Sequence, residues 1–469
     1  MGAFGKGKIV NDFTKGPLFT TLVKFSLPYM LSNFLQVIYS VVDMIVVGHC
    51  VGFRGMAAVA VASRSYGFLV LLCVGLMAGA QVYLAQMIGK SNRANAGAPG
   101  NTTDLAKLGR AVGTIFTLMT IIAVISFLIM FFIAGPFLRW QETPADVYDN
   151  ALSYMQLRAT GIFFTFGYNM FSAVMRGVGD SKHPMVFVIV GAVLNLVLDI
   201  LFVKYFKMGV NGAAIATVIA MGVKFAITAA FIYRRRAEIG FDFKLKSWRV
   251  DGEIARGITR IAIPFGIRFV AMEISMIFVQ RLVNIEGAAA MAVFVAGIRL
   301  DNTVHTLATG VFSGASGIIG QNYGAHKIHR IRTTIHYTWL ISAGLYAIFT
   351  VLLLNFPKQL FGIFTTAEEV QVLVPTFVAA IVWHFPAATV TKGTTALIHG
   401  IGNAWLSFAL ALIDAFLLRV TLSWVLGRVL GWGLYGYILG YALAAYGMAI
   451  PGLIYYYFFP WYKRKLVTD

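Results

Sequence analysis

The chain has 469 residues, 59% of them hydrophobic and only 12% charged, with 38 Lys+Arg against 19 Asp+Glu and a formal net charge of +19. A soluble protein needs about 25% charged residues to wet its surface, so the composition excludes a water-soluble enzyme or scaffold and points to an integral membrane protein. The basic excess sits between apolar runs, which makes an anionic lipid leaflet the expected counter-surface rather than nucleic acid, and two cysteines, Cys50 and Cys73, supply neither a disulfide framework nor metal-ligand spacing.

A helix needs about 20 apolar residues to cross a ~30 Å hydrocarbon core. Such runs are predicted near 20–47, 56–88, 109–134, 149–174, 184–205, 210–233, 261–283, 288–321, 334–356, 371–398, 404–426 and 433–459, twelve in all. Residues 1–15 are polar and basic, and no signal-peptide cleavage pattern follows them. Twelve spans put both termini on one side of the membrane. That side holds 24 of the 38 basic residues, the opposite side holds six (Arg54, Arg139, Lys204, Lys207, Lys358 and Arg428), and eight lie within spans. Basic residues accumulate in cytoplasmic connections. A multi-pass protein of the cytoplasmic (inner) membrane with both termini in the cytoplasm is expected. Asn101-Thr102-Thr103 matches a glycosylation acceptor, but this orientation makes it cytoplasmic linker.

The longest polar connection follows the sixth span. It divides the chain into a six-helix lobe (1–233), a cytoplasmic inter-lobe linker (234–260) and a second six-helix lobe (261–469). The halves resemble each other. Leu27-Pro28-Tyr29 is echoed 236 residues later by Ile263-Pro264-Phe265, and Gly75, Gly79, Ala80 and Gln86 recur 235 later as Gly310, Gly314, Ala315 and Gln321. Gly177-Val178-Gly179 recurs 223 later as Gly400-Ile401-Gly402, and Gly209 and Gly212 recur 224 later as Gly433 and Gly436. Four ordered matches with a slowly drifting offset indicate duplication. Six spans preserve orientation, so the fold expected is an all-α integral membrane protein of twelve transmembrane helices in two parallel repeats. Transporters of that symmetry bind substrate between the halves and alternate access.

Five acids fall within spans: Asp43, Asp199, Glu273, Asp301 and Asp414. An ionisable group there is costly and is a functional candidate. At about 1.5 Å per residue, Asp43 lies roughly 7 Å, Asp199 roughly 9 Å and Asn195 roughly 15 Å from the outer ends of their spans, with Tyr154 and Thr217 roughly 9–10 Å in. These five share one outer-leaflet layer. Their repeat mates are apolar (Val279 for Asp43, Leu418 for Asn195, Leu422 for Asp199), which confines the site to the first half. Such a group of oxygens either carries a proton or cages Na⁺ at Asp43, Asn195 and Asp199; the plain alternative is a set of structural hydrogen bonds. Pro28 removes a backbone bond and permits a bend that responds to Asp43. Asp301 and His305, four apart, are expected to pair on one face. Glu273 and Asp414 lie near mid-depth and either contact substrate or pair with Arg268, Arg281, Arg299 or Arg419. The spans also hold Arg64, Arg158, Lys224 and Lys392, with His305 and His384. If Arg281, Arg299 and His384 face a cleft, an anionic, zwitterionic or lipid-linked cargo is the competing expectation.

Val42-Asp43 with Gly48, Met175-Arg176-Gly177-Val178-Gly179-Asp180, Asn195-x-x-x-Asp199, Gly212-Ala213-Ala214-Ile215-Ala216-Thr217 and Gly320-Gln321-Asn322-Tyr323-Gly324-Ala325 together resemble the multidrug and toxic compound extrusion (MATE) family, most nearly its DinF-like prokaryotic branch. The resemblance implies V-shaped lobes around a central cleft and export of small organic cations driven by inward H⁺ or Na⁺, with no cofactor. It assigns cation coupling to Asp43, Tyr154, Asn195, Asp199 and Thr217, and brings Glu273 near an acid used in the Na⁺-coupled branch. A monomer surrounded by lipid, with no nucleic-acid partner, is expected. A membrane prenyltransferase would need a second acidic cluster beside Asn195-x-x-x-Asp199, and ATP drive would need a P-loop; the sequence has neither.

Overall fold

The computed structural model describes residues 10–94, 102–140, 143–244 and 247–468; Asn101 of the acceptor motif lies outside them. Among the described residues the chain is helical throughout, without strands. The helices are α1 (Leu18–Val51), α2 (Phe53–Ala94), α3 (Thr102–Phe132), α4 (Ala134–Trp140), α5 (Ala145–Thr160), α6 (Ile162–Gly177), α7 (Lys182–Asp199), α8 (Gly209–Arg234), α9 (Arg236–Ile239), α10 (Gly252–Asn284), α11 (Ala288–Gly324), α12 (Ile328–Asn355), α13 (Pro357–Gly362), α14 (Glu368–Ile381), α15 (His384–Gly400), α16 (Ala404–Leu412), α17 (Thr421–Trp424), α18 (Gly433–Ala444) and α19 (Tyr446–Phe458). The short α4, α9 and α13 are connectors. The rest assemble into twelve rods that match the twelve predicted runs. Seven rods are by themselves long and apolar enough to cross a membrane, and the α14–α15 pair, bent by 46°, makes an eighth.

The duplication is written into the backbone. Ile200–Tyr205 continues α7 as a π-helix, and Val425–Val429 is π-helical at the corresponding place. Phe206 N–H donates to the Leu201 carbonyl and Met208 N–H to Phe202, at 2.9 Å each; 224 residues later Leu430 donates to Val425 and Trp432 to Leu426. Both turns then need a left-handed residue, and Gly209 (φ 60°) and Gly433 (φ 52°) supply it without a Cβ penalty.

The chain forms two compact units that do not follow the simple division at 233 and 261. The first contains residues 31–262 and the second residues 13–30 and 263–467. Each unit therefore takes the first half of a helix from the other half of the sequence: α1 enters the first unit after Met30, and α10 enters the second after Ala262. Packing within a bilayer gains nothing from hiding apolar surface from lipid, so it depends on close backbone approach at small residues. Glycines make the seats for the exchanged segments. A Cβ on Gly310 would lie 2.6 Å from the Met30 nitrogen, and one on Gly314 would strike Ser26; in the first unit a Cβ on Gly79 would lie 2.8 Å from the Ile258 carbonyl oxygen. Overpacking costs ~1–3 kcal/mol. Gly314→Leu should accordingly lower the unfolding midpoint in detergent by several degrees, whereas Gly344→Leu, at a helical glycine with nothing within 4 Å of an added Cβ, should leave it unchanged. Equal midpoints would contradict the seat.

Pro28 and Pro264 lie inside α1 and α10, two residues from where each helix changes unit. Residues 234–260 are not a loose tether. They lie on α3: Asp251 N–H donates to the Thr114 hydroxyl at 3.1 Å, and Phe116 packs on Phe241 and Trp248 at 5.2 and 5.3 Å.

Candidate functional sites

In the first unit, α7 and α8 pack side by side and bring Asn195, Asp199 and Thr217 together, each about 1% exposed. Asn195 bridges the other two. With its amide nitrogen toward the carboxylate it donates to Asp199 Oδ2 at 2.7 Å, and its oxygen accepts from the Thr217 backbone N–H at 3.1 Å. The Thr217 hydroxyl donates to the Ala213 carbonyl at 2.8 Å. Asp199 ends α7, and the π-helix begins at the next residue, so the wider turn starts directly at the carboxylate; such insertions frequently mark functional sites. Tyr154, 2% exposed, comes from α5, which packs on α8. Asp43 lies in α1, and its side chain is outside the described residues.

Two buried cations accompany this cluster, held on aromatic faces. The Arg158 guanidinium lies 4.4 Å above the Tyr66 ring and 5.9 Å from Tyr154. The Lys224 ammonium lies 4.1 Å from the Tyr168 ring. Cation–π contact replaces part of the lost hydration.

The second unit carries a larger polar network. Arg419 donates to both oxygens of Asp414 at 3.0 Å and to Ser275 at 3.3 Å; Asp414 and Arg419 are 3% and 5% exposed. Arg268 reaches His399 Nε2 at 2.9 Å and Ser407 at 3.3 Å. The Lys392 ammonium meets His305 Nε2 at 3.0 Å, Thr309 at 2.9 Å and the His305 carbonyl at 3.5 Å. Tyr441 donates to Asp301 Oδ2 at 3.1 Å, and its ring stacks on His384 with centroids 5.4 Å apart.

Several expectations change here. Asp301 and His305 share a face of α11 but do not pair: Tyr441 holds the first, Lys392 and Tyr346 the second. Asp414 is a buried ion-pair partner of Arg419. Glu273, Arg281 and Arg299 are exposed on the second unit, away from the buried network, and His384 is buried. Spacing along the chain missed Tyr66, Tyr346, Thr309, His399 and Tyr441, because each meets its partner from a different helix.

The family model described as MatE matches the chain twice, over residues 28–201 and 261–425, one match for each copy of the repeat. A Bacillus subtilis protein described as probable multidrug resistance protein YpnP is 26% identical over 459 residues, covering 98% of this chain and 99% of that protein. The solved outward-facing structure of a multidrug resistance MATE family transporter of the MOP superfamily superposes with a TM-score of 0.88 at 22% identity, over 98% of this chain and 100% of the other. A MOP superfamily transporter from Pyrococcus furiosus, described as having a binding pocket of reverse polarity that suggests a different function, gives a TM-score of 0.86 at 22% identity over 96% and 97%. These likenesses establish twelve transmembrane helices in two lobes.

Proposed function

The chain belongs to the MatE family of multi-pass membrane transporters, and we propose that it is a secondary antiporter exporting amphipathic organic cations, drugs among them, in exchange for H⁺ or Na⁺ by alternating access. One observation carries the reading: a carboxylate, an amide and a threonine from two helices meet in a buried layer of the first unit, at the start of a π-helical turn. Oxygen groups so placed suit a proton or a small hard cation, and an intramembrane acid is kept where it works. Asp43 and Tyr154 complete the set in this reading. Pro28 is the bend, since it lies where α1 leaves one unit for the other. The name of the Bacillus subtilis relative supports a drug-like cargo. In the second unit Arg268, Lys392 and Arg419 are all engaged internally, which leaves them poorly placed to receive an anionic cargo.

One elementary charge moving across 100 mV releases ~2.3 kcal/mol, enough to hold a cargo gradient of roughly 50-fold. The test is uphill movement of a fluorescent organic cation in proteoliposomes, under an imposed pH gradient and then an imposed Na⁺ gradient. Accumulation under one of the two is expected. Movement that only ever equilibrates the dye would overturn antiport.

A further inference from the structure

We propose that the second unit holds a proton-binding site of its own, formed by Asp301 and His384 on either side of Tyr441. The proposal rests on the antiport reading only for its purpose; the binding of the proton is a separate claim.

The groups around the site are Asp301 and His305 from α11, Tyr346 from α12, His384 and Lys392 from α15, Tyr441 from α18, Asp414 and Arg419 from the π-helical segment Ile413–Val420, and Arg268 from α10. Their contacts fix the charge of most of them. An ammonium has three donors and no acceptor, so the three oxygen and nitrogen atoms around Lys392 are all acceptors. His305 Nε2 is then unprotonated, with Nδ1 facing the Tyr346 hydroxyl at 3.4 Å, and the ring is neutral. His399 Nε2 faces the Arg268 guanidinium, which cannot give up its proton, so this ring too is neutral. Asp414 is held as a carboxylate by the two-point contact with Arg419.

Two groups are left over. Asp301 is 2% exposed, and its Oδ1 has no hydrogen-bond partner among the described residues. His384 is 6% exposed, and neither ring nitrogen has one. Each is tied to Tyr441, the carboxylate by the hydroxyl and the imidazole by the ring. A buried polar atom without a partner costs ~1–3 kcal/mol. Three such atoms flanking one tyrosine mark a place whose bonding is completed by something else. A proton satisfies it with no change in packing: an O–H bond forms on Asp301 or an N–H bond on His384, the proton comes from solvent and returns there, and the two groups titrate as a pair. Nothing equivalent exists at the first-unit cluster, which is built from different residues on different helices, so the two units bind their protons independently.

The test is proton uptake by the purified protein in detergent between pH 5 and 8, followed by infrared difference spectroscopy of the carboxyl band and by direct pH-stat titration. Wild type should take up about one proton more than Asp301→Asn or His384→Gln, while Asp199→Asn should keep this event. Tyr441→Phe leaves both titrating groups in place and should shift the event along the pH axis without abolishing it, which guards against misfolding of the other variants. Uptake unchanged in Asp301→Asn and in His384→Gln would overturn the proposal, as would its loss in Asp199→Asn alone. Normal uptake with no gradient-driven transport would retain this site and reject the antiport reading instead.

Discussion

Asp199→Asn is expected to reduce gradient-driven export on the order of 100-fold, the upper part of the range that site-to-site coupling energies of ~1–3 kcal/mol produce. The substitution keeps the shape of the side chain and removes its charge and its capacity to bind a proton. The amide of Asn195 lies 2.7 Å from the carboxylate and can turn to meet the new amide, so folding should survive and the unfolding midpoint should move by only a few degrees. Asp199→Ala would also open a cavity and remove the Asn195 contact, mixing two effects. The measurement is the initial rate of dye export in proteoliposomes with and without the driving gradient. Downhill exchange should persist in Asp199→Asn, because the cargo site is untouched. Full gradient-driven export in the folded variant would remove Asp199 from the coupling machinery.

The largest stability effect is expected at Asp414 and Arg419. Arg419→Met would leave a carboxylate 3% exposed without its two-point partner, and Asp414→Asn would leave a guanidinium 5% exposed with only Ser275 and the Tyr441 ring, 5.2 Å away. Breaking one side of a buried ion pair costs ~3–5 kcal/mol, while replacing both partners by apolar groups of similar size is often neutral. Thermal unfolding of both single variants and of Asp414→Leu with Arg419→Met should therefore give two strongly destabilised proteins and one close to wild type. Additive losses in the double variant would show that the pair does not act as a unit.

That pair also illustrates where the sequence stops being legible. Residues five apart do not face each other on an α-helix, whose neighbours are three and four apart. Asp414 and Arg419 meet because Ile413–Val420 is π-helical, a change of pitch that no apolar pattern announces. The twelve runs were readable because crossing a bilayer demands length and apolarity together, and the duplication was readable because glycines recur wherever two helix backbones touch or a turn goes left-handed, as at Gly79 with Gly314 and Gly209 with Gly433. The layer of Asn195, Asp199 and Thr217 followed from helical spacing and rise alone. Interleaving of the units did not, since nothing in a linear pattern says that residues 13–30 pack with residues 263–467. Long-range partners such as Lys392 with His305, 87 residues apart, were equally out of reach: intramembrane charge identified each residue as costly but did not say what satisfied it.

Antiport is tested most directly by running it backwards. Proteoliposomes with no pH or Na⁺ gradient would be given a concentration gradient of the organic cation alone, with luminal pH and Na⁺ recorded as the cargo flows downhill. Because coupling is reciprocal, the wild type should drive H⁺ or Na⁺ in the opposite direction, and Asp199→Asn should pass cargo without moving that ion. Cargo flow in the wild type with both ions at rest would contradict the account.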